Sequence, residues 1–297
     1  MNKKVLTLLI TFLTLSLVIT GCSRTEKEAK GVIIGIDPGA GIMSSAEKAL
    51  EEYDLDNFEI IEGSDATMIS ALNDAIRNEK WIVVTGWTPH FKFAKWDLKY
   101  LDDPKKAFGD AEQINTIVRK GLKEDLPDVY TFLDNFNWTL DDMQTLEVWN
   151  EEPGADPYEN AKRWIGENEA KVNQWIEGLE LNSGNGQKVE LVYVEWASEI
   201  ASTNVVRAVL QEKLGYNVEI ISVGAAAMWQ GVATGDVDGM VAAWLPVTHG
   251  SYLEEVKDKV ENLGPNINGA RIGLVVPDYV TIDSIEDLKE NADKFQK

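Results

Sequence analysis

The chain has 297 residues, 44% hydrophobic and 26% charged, with a formal net charge of −22, which supplies enough apolar material for a sizeable core in one or two domains. That acidity excludes nucleic acid as a partner, because neutralising phosphates requires clustered Lys and Arg, and it reads as a solvated surface. Ten Trp exceed what such a core needs; each indole N–H wants a partner when buried, so some of these rings are expected to line a ligand site.

Residues 1–21 read as a targeting segment. Met1-Asn2-Lys3-Lys4 is a short basic start, and residues 5–19 form an apolar run of signal-peptide length, too short to span a bilayer. Ile19-Thr20-Gly21-Cys22 then resembles the lipobox of bacterial lipoproteins, in which the Cys is lipidated and becomes the mature N-terminus. Cys22 is the single cysteine, so there is no internal disulfide and no thiolate metal site to expect. Residues 22–30 are then the lipidated Cys and a polar tether to the domain.

Val32-Ile33-Ile34-Gly35-Ile36 is a continuous β-branched run, the mark of a buried strand in an α/β sheet. It ends in the turn Asp37-Pro38-Gly39-Ala40-Gly41, and Ser44, three residues before Glu47, has the spacing of a capping box that opens a helix. A strand over 58–61, a helix over 66–77 with Met68, Leu72 and Ile76 on one face, and a strand over 81–84 follow. That third strand delivers Gly86-Trp87-Thr88-Pro89-His90.

From 105 to 179 the pattern reads as charged periodic helices, over 114–124, 127–136, 141–149, 160–167 and 169–179, with Asp141 offering a cap. Trp138, Trp149, Trp164 and Trp175 lie among them and read as packing. Asn182-Ser183-Gly184-Asn185-Gly186 reads as a linker.

The first pattern then repeats. A strand over 189–194 ends in the loop Glu195-Trp196-Ala197-Ser198-Glu199; a helix over 202–213, a strand near 218–221 and a helix over 225–233 lead to Gly239-Met240-Val241-Ala242-Ala243-Trp244, and Pro246 and His249 follow. The two series match element for element. They predict an α/β protein of two lobes, each a β-sheet flanked by helices, with the loops at the strand C-termini facing one interlobe cleft where ligands bind. The division is a first lobe over 31–104, a helical segment and linker over 105–185, a second lobe over 186–270, and a crossover strand with a C-terminal helix over 271–297. The strand Ala270-Arg271-Ile272-Gly273-Leu274-Val275-Val276-Pro277 is expected to return to the first lobe as part of the hinge.

No hydrolase elbow, Walker loop, paired Cys or His-x-x-x-His is present. The Gly-rich turn at 37–41 lacks G-x-G-x-x-G; its amides can cradle a carboxylate or phosphate at a helix N-terminus, or its glycines can simply allow the turn. Trp87, Trp196 and Trp244 each stand at or just after a strand end. Rings converging there form an electron-rich cage for a quaternary ammonium, which has no hydrogen bond to offer. Trp81, Trp96 and Trp229 read as structural. Of the two histidines, His249 is placed to donate to an anionic ligand group, and His90 reads as structural.

Gly35 to Met43, Val84 to His90, Trp196 to Asn204 and Ala243 to His249 resemble the glycine betaine-binding lipoproteins of ABC-type osmoprotectant importers, from about Gly31 onward. The resemblance implies a type II-like periplasmic-binding-protein fold that closes on its ligand, with no enzyme activity and no cofactor. It implies a cation held by Trp87, Trp196 and Trp244, and a carboxylate held by the amides of Gly35 and Ile36 and by His249. The implied ligand is glycine betaine, and also proline betaine, delivered to a membrane permease by a monomer anchored through Cys22 on the extracytoplasmic face. The alternatives are the same fold binding choline or carnitine, an enzyme acting on a methylated amine, or a structural surface lipoprotein.

Overall fold

A computed structural model describes residues 30–296; the targeting segment and Cys22 lie outside the described residues. Strands β1 (Gly31–Ile34), β2 (Phe58–Ile61) and β3 (Val83–Thr88) form a parallel sheet in the order β2-β1-β3. They are linked by α1 (Gly41–Glu52) and α2 (Asp65–Arg77). Met68 and Leu72 of α2 are fully buried, and Ser64 caps it by accepting from the Thr67 amide. The second series builds the same unit from β6 (Lys188–Tyr193), α9 (Ala197–Glu212), β7 (Asn217–Ser222), α10 (Ala225–Thr234) and β8 (Gly239–Leu245), with β7 and β8 parallel to β6 on either side.

Between the two units lie α3 (Lys92–Lys95), β4 (Leu98–Tyr100), β5 (Glu112–Arg119), α4 (Leu122–Asp125), α5 (Pro127–Asn135), α6 (Leu140–Asn150), α7 (Pro157–Glu167) and α8 (Glu169–Trp175). The expected helix over 114–124 is therefore mostly a strand. Ile114, Ile117 and Val118 have helical spacing, but β5 is a central strand, antiparallel to β8 on one side, with register shifts along it that break the two-residue alternation. A strand buried on both faces loses its period, and the β-branched content of Ile114, Thr116, Ile117 and Val118 is what marks it.

The chain closes through α11 (Gly250–Val256) and the 18-residue β9 (Val260–Pro277). From Val260 to Ala270, β9 pairs antiparallel with β5 in the second sheet; from Arg271 to Val275 it pairs antiparallel with β3 in the first. The expected return strand is thus longer than 270–277 and is itself one of the two connections between lobes, giving the order β2-β1-β3-β9-β5-β8-β6-β7. A 3₁₀ segment (Ile285–Lys294), capped by Ser284, then brings Phe295 against Trp81 and Phe58 of the first lobe.

Helices α5 to α8 cover the second sheet and pack on α9. Their core is aromatic: Trp164 stacks on Trp175 with centroids 5.9 Å apart, while Trp138 meets Trp164 edge-on at 5.7 Å and Phe136 meets Trp175 at 5.0 Å. Arg163 covers Trp149 at 3.9 Å. The Thr139–Asp142 capping box starts α6, with the cap at Thr139, two positions ahead of the expected Asp141. Truncating the fully enclosed Trp164 to Ala is expected to cost about 3–5 kcal/mol, to be read from denaturant unfolding; a loss below about 1 kcal/mol would contradict this packing.

Candidate functional site

The C-terminal ends of the parallel strands of both lobes face one cavity. Trp87 comes from the end of β3, Trp244 from the end of β8, and Trp196 is the N-cap residue of α9 after β6. All three line the cavity with Ile36, Ala40 and Ile272. They are 5%, 4% and 6% exposed for Trp87, Trp244 and Trp196 respectively, so the lobes lie closed over them. Trp196 reaches across the cleft, its indole N–H donating to Asp37 Oδ2 at 2.9 Å. Trp87 is backed by the His90 ring, edge-on at 4.6 Å, and by the Lys92 ammonium 4.2 Å from its centroid.

The anionic end is organised differently from the expectation. Gly35 does not line the cavity, and its N–H already donates to the Ile61 carbonyl at 2.8 Å, completing the β1–β2 ladder. The Ile36 N–H is directed at Met43 Sδ at 3.2 Å. Neither amide is open to a carboxylate. The amides that are open belong to Gly41 and Ile42, the first two residues of α1, which have no partner among the described residues and line the cavity.

Ser44 has the spacing of a capping box, but α1 begins three residues earlier, at Gly41 behind Ala40, which makes no side-chain cap bond. A start without a side-chain cap leaves its amides to whatever enters the cleft, which is a signal in itself. Gly41 is sterically required: a Cβ there would run into the Thr248 carbonyl of the other lobe.

His249 completes this end. The Trp244 backbone N–H donates to its Nδ1 at 3.2 Å, and its own amide donates to the Trp244 carbonyl at 2.8 Å. With Nδ1 accepting, the proton sits on Nε2, a buried atom with no partner among the described residues in a residue that lines the cavity. Complete burial pushes the His249 pKa down to about 4, so the ring is a neutral donor at pH 7. Sequence reasoning missed the support for this loop. Glu112 on β5 accepts from the Val247 and Thr248 amides at 2.7 and 2.8 Å and from the Thr248 hydroxyl, but one Glu among 50 acidic residues carries no local signal. Trp229 packs behind, edge-on to His249 at 6.0 Å.

His90 does not line the cavity. Its Nδ1 accepts from the Lys92 amide at 3.1 Å and its Nε2 donates to Asp65 Oδ1 at 3.2 Å, away from the cavity. No group of three or more His, Cys, Asp or Glu among the described residues could hold a metal ion.

The model of the substrate-binding domain of ABC-type glycine betaine transport systems matches residues 20–167 and 187–297. The glycine betaine/carnitine transport binding protein GbuC of Listeria monocytogenes is 48% identical over 302 residues, covering 97% of this chain and 99% of that one. Among solved structures, lactococcal OpuAC in its closed, glycine betaine-bound form is 47% identical with a TM-score of 0.48, over 49% of this chain and 57% of that one. The glycine/betaine/L-proline-binding protein ProX of Borrelia burgdorferi is 35% identical with a TM-score of 0.48, over 50% and 56%. The chain thus spans little more than half the length of these two structures.

The two states of His249 give a stability test. The unfolded chain takes up its proton near pH 6.5 and the folded protein only near pH 4, so this group's contribution is present above pH 6.5 and is lost as pH falls toward 4. The melting temperature of the protein relative to His249→Gln should therefore drop across that window; a difference that stays constant would show that the ring is not held neutral.

Proposed function

The chain belongs to the family of substrate-binding domains of ABC-type glycine betaine transport systems, and from that premise we propose that it captures glycine betaine, and also proline betaine, outside the membrane and presents it to an importer permease. The family makes and breaks no bond; its work is recognition. One observation carries the choice of ligand: a single interlobe cavity has three indole rings and, besides them, three unpaired donors, the Gly41 and Ile42 amides and His249 Nε2. A small zwitterion with a methylated cation and a carboxylate matches both sets.

The rings suit a cation that cannot hydrogen-bond, and each desolvated cation–π contact contributes about 2 kcal/mol. The carboxylate is received by the start of the 12-residue α1, where the open amides and the positive end of the helix dipole act together. His249 adds a neutral donor from the other lobe. A bound zwitterion thus touches both lobes at both of its ends, which favours the closed state over the open one.

Carnitine is the second reading, because it keeps both charged groups and because the relative of 48% identity is named for glycine betaine and carnitine together. Choline is disfavoured. Without a carboxylate it leaves the three donors buried and unpaired, a mismatch that discriminates by about 10⁴-fold in sites built around such donors. Titration calorimetry with glycine betaine, proline betaine, carnitine and choline should rank the carboxylates above choline. Trp87→Ala/Trp244→Ala should abolish binding while the fold persists, and micromolar affinity retained in that variant would remove the cage.

Attachment to the extracytoplasmic face through lipid on Cys22, with the protein acting as a monomer, completes the proposal. No helix among the described residues is long and apolar enough to cross a membrane. Cys22→Ser should shift the protein from the membrane fraction to the medium, and unchanged membrane retention would overturn the anchor.

A further inference from the structure

Three hydrogen bonds join the lobes around the cavity, and in all three the first lobe accepts and the second donates. Tyr252 Oη donates to the Gly39 carbonyl at 2.7 Å. The other two fall on consecutive residues of the second lobe: Trp196 Nε1 donates to Asp37 Oδ2 at 2.9 Å, and the Ala197 amide donates to Asp65 Oδ2 at 3.3 Å. Trp196 is the N-cap residue and Ala197 the first residue of α9, a helix of 16 residues. Two carboxylates of one lobe therefore grip the positive end of a long helix of the other.

We propose that Asp37 and Asp65 form a clasp on the start of α9 that stabilises the closed state and sets how long the ligand stays bound. Neither residue lines the ligand cavity; each lies in a separate groove beside it, Asp65 with Phe91 and Ile200, Asp37 with Val194 and Gly224. They are positioning residues, acting through Trp196 and through the interlobe contact.

Asp65 is aimed from within its own lobe. The Lys92 amide donates to His90 Nδ1, His90 Nε2 donates to Asp65 Oδ1, and Oδ2 is left for Ala197. The relay from Lys92 to Asp65 lies wholly in the first lobe and needs no closure, so the acceptor is already set when the lobes part. Asp37 does a second job. By taking the indole N–H it fixes the Trp196 ring, the one cage wall that is not carried on a strand, where it lines the cavity and stacks against His249.

With the lobes apart, water satisfies Asp37, Asp65 Oδ2, the indole N–H and the first amide of α9, so loss of these two interlobe bonds falls on the closed form and shifts the ligand-free population toward the open one. The closed form loses two charge-assisted bonds. The effect belongs in dissociation, since affinity differences within one complex lie mostly in the off-rate. This inference rests on the betaine reading for its ligand, but the clasp has its own readout.

The experiment compares the parent protein with Asp37→Asn, Asp65→Asn and the double alanine variant. In stopped-flow tryptophan fluorescence with glycine betaine, each single variant should raise the off-rate about tenfold and the double variant further, with the on-rate changed less than threefold. The melting temperature of ligand-free Asp37→Asn should stay near the parent value, which a merely structural role for Asp37 would lower; the Asp65 variants lose the His90 bond inside the first lobe as well and are read by off-rate and scattering. Small-angle scattering without any ligand should show a wider double variant than parent. Equal scattering profiles overturn the clasp whatever the ligand is, and an unchanged off-rate overturns its role in retention. Failure of the parent to bind glycine betaine counts against the betaine reading alone. Should the double alanine variant not fold, the Asp37→Asn/Asp65→Asn pair carries the same two tests.

Discussion

A methylated cation gives a protein nothing to hydrogen-bond, so it has to be surrounded by π-faces, and no single sheet edge can surround it. That constraint accounts for the two-lobed design. Trp87 stands at the end of β3 and Trp244 at the end of β8, equivalent places in the two repeats, and Trp196 enters from the start of α9. The rings come to line one cavity only where the lobes meet. Everything that governs closure thereby governs the site: the glycine that lets α1 approach Thr248, the buried Glu112 that stiffens the loop carrying His249, and the bonds from Trp196 and Ala197 to the first lobe.

The polar end obeys a complementary rule. A buried carboxylate needs donors that have no other obligation. Strand amides near the cavity fail this test, because the ladder claims Gly35 for Ile61. The first amides of a helix pass it by construction, since they have no carbonyl four residues back. His249 passes it through its tautomer: the Trp244 amide occupies one ring nitrogen and so assigns the proton to the other. The same device on His90, with Lys92 in the place of Trp244, directs that ring to Asp65 instead. Two histidines with the same local chemistry thus take different parts according to what lies opposite.

The connection between lobes is β9, whose first half belongs to one sheet and second half to the other. A continuous strand shared by both sheets, together with the segment between β4 and β5, joins the lobes with their strand ends facing one cavity. Helices α5 to α8 stabilise the second lobe through their aromatic core and stand apart from the ligand chemistry.

Much of this was legible in the chain itself. The repeated strand-Trp-Pro-His signal, the β-branched runs and the strand-end tryptophans are short-range patterns, and they determined the α/β class, the two repeats, and the placing of Trp87, Trp196, Trp244 and His249 at one cleft. The tertiary structure decided what depends on distant partners. Whether residues 112–119 become helix or strand turns on β8 and β9 waiting on either side, since Ile114, Ile117 and Val118 suit either period. Whether an amide is free turns on the ladder that takes Gly35 and the uncapped helix start that leaves Gly41 and Ile42 open. Sequence spacing records where a side chain points along its own element; which hydrogen bonds remain unspent is settled only when the other elements have packed against it.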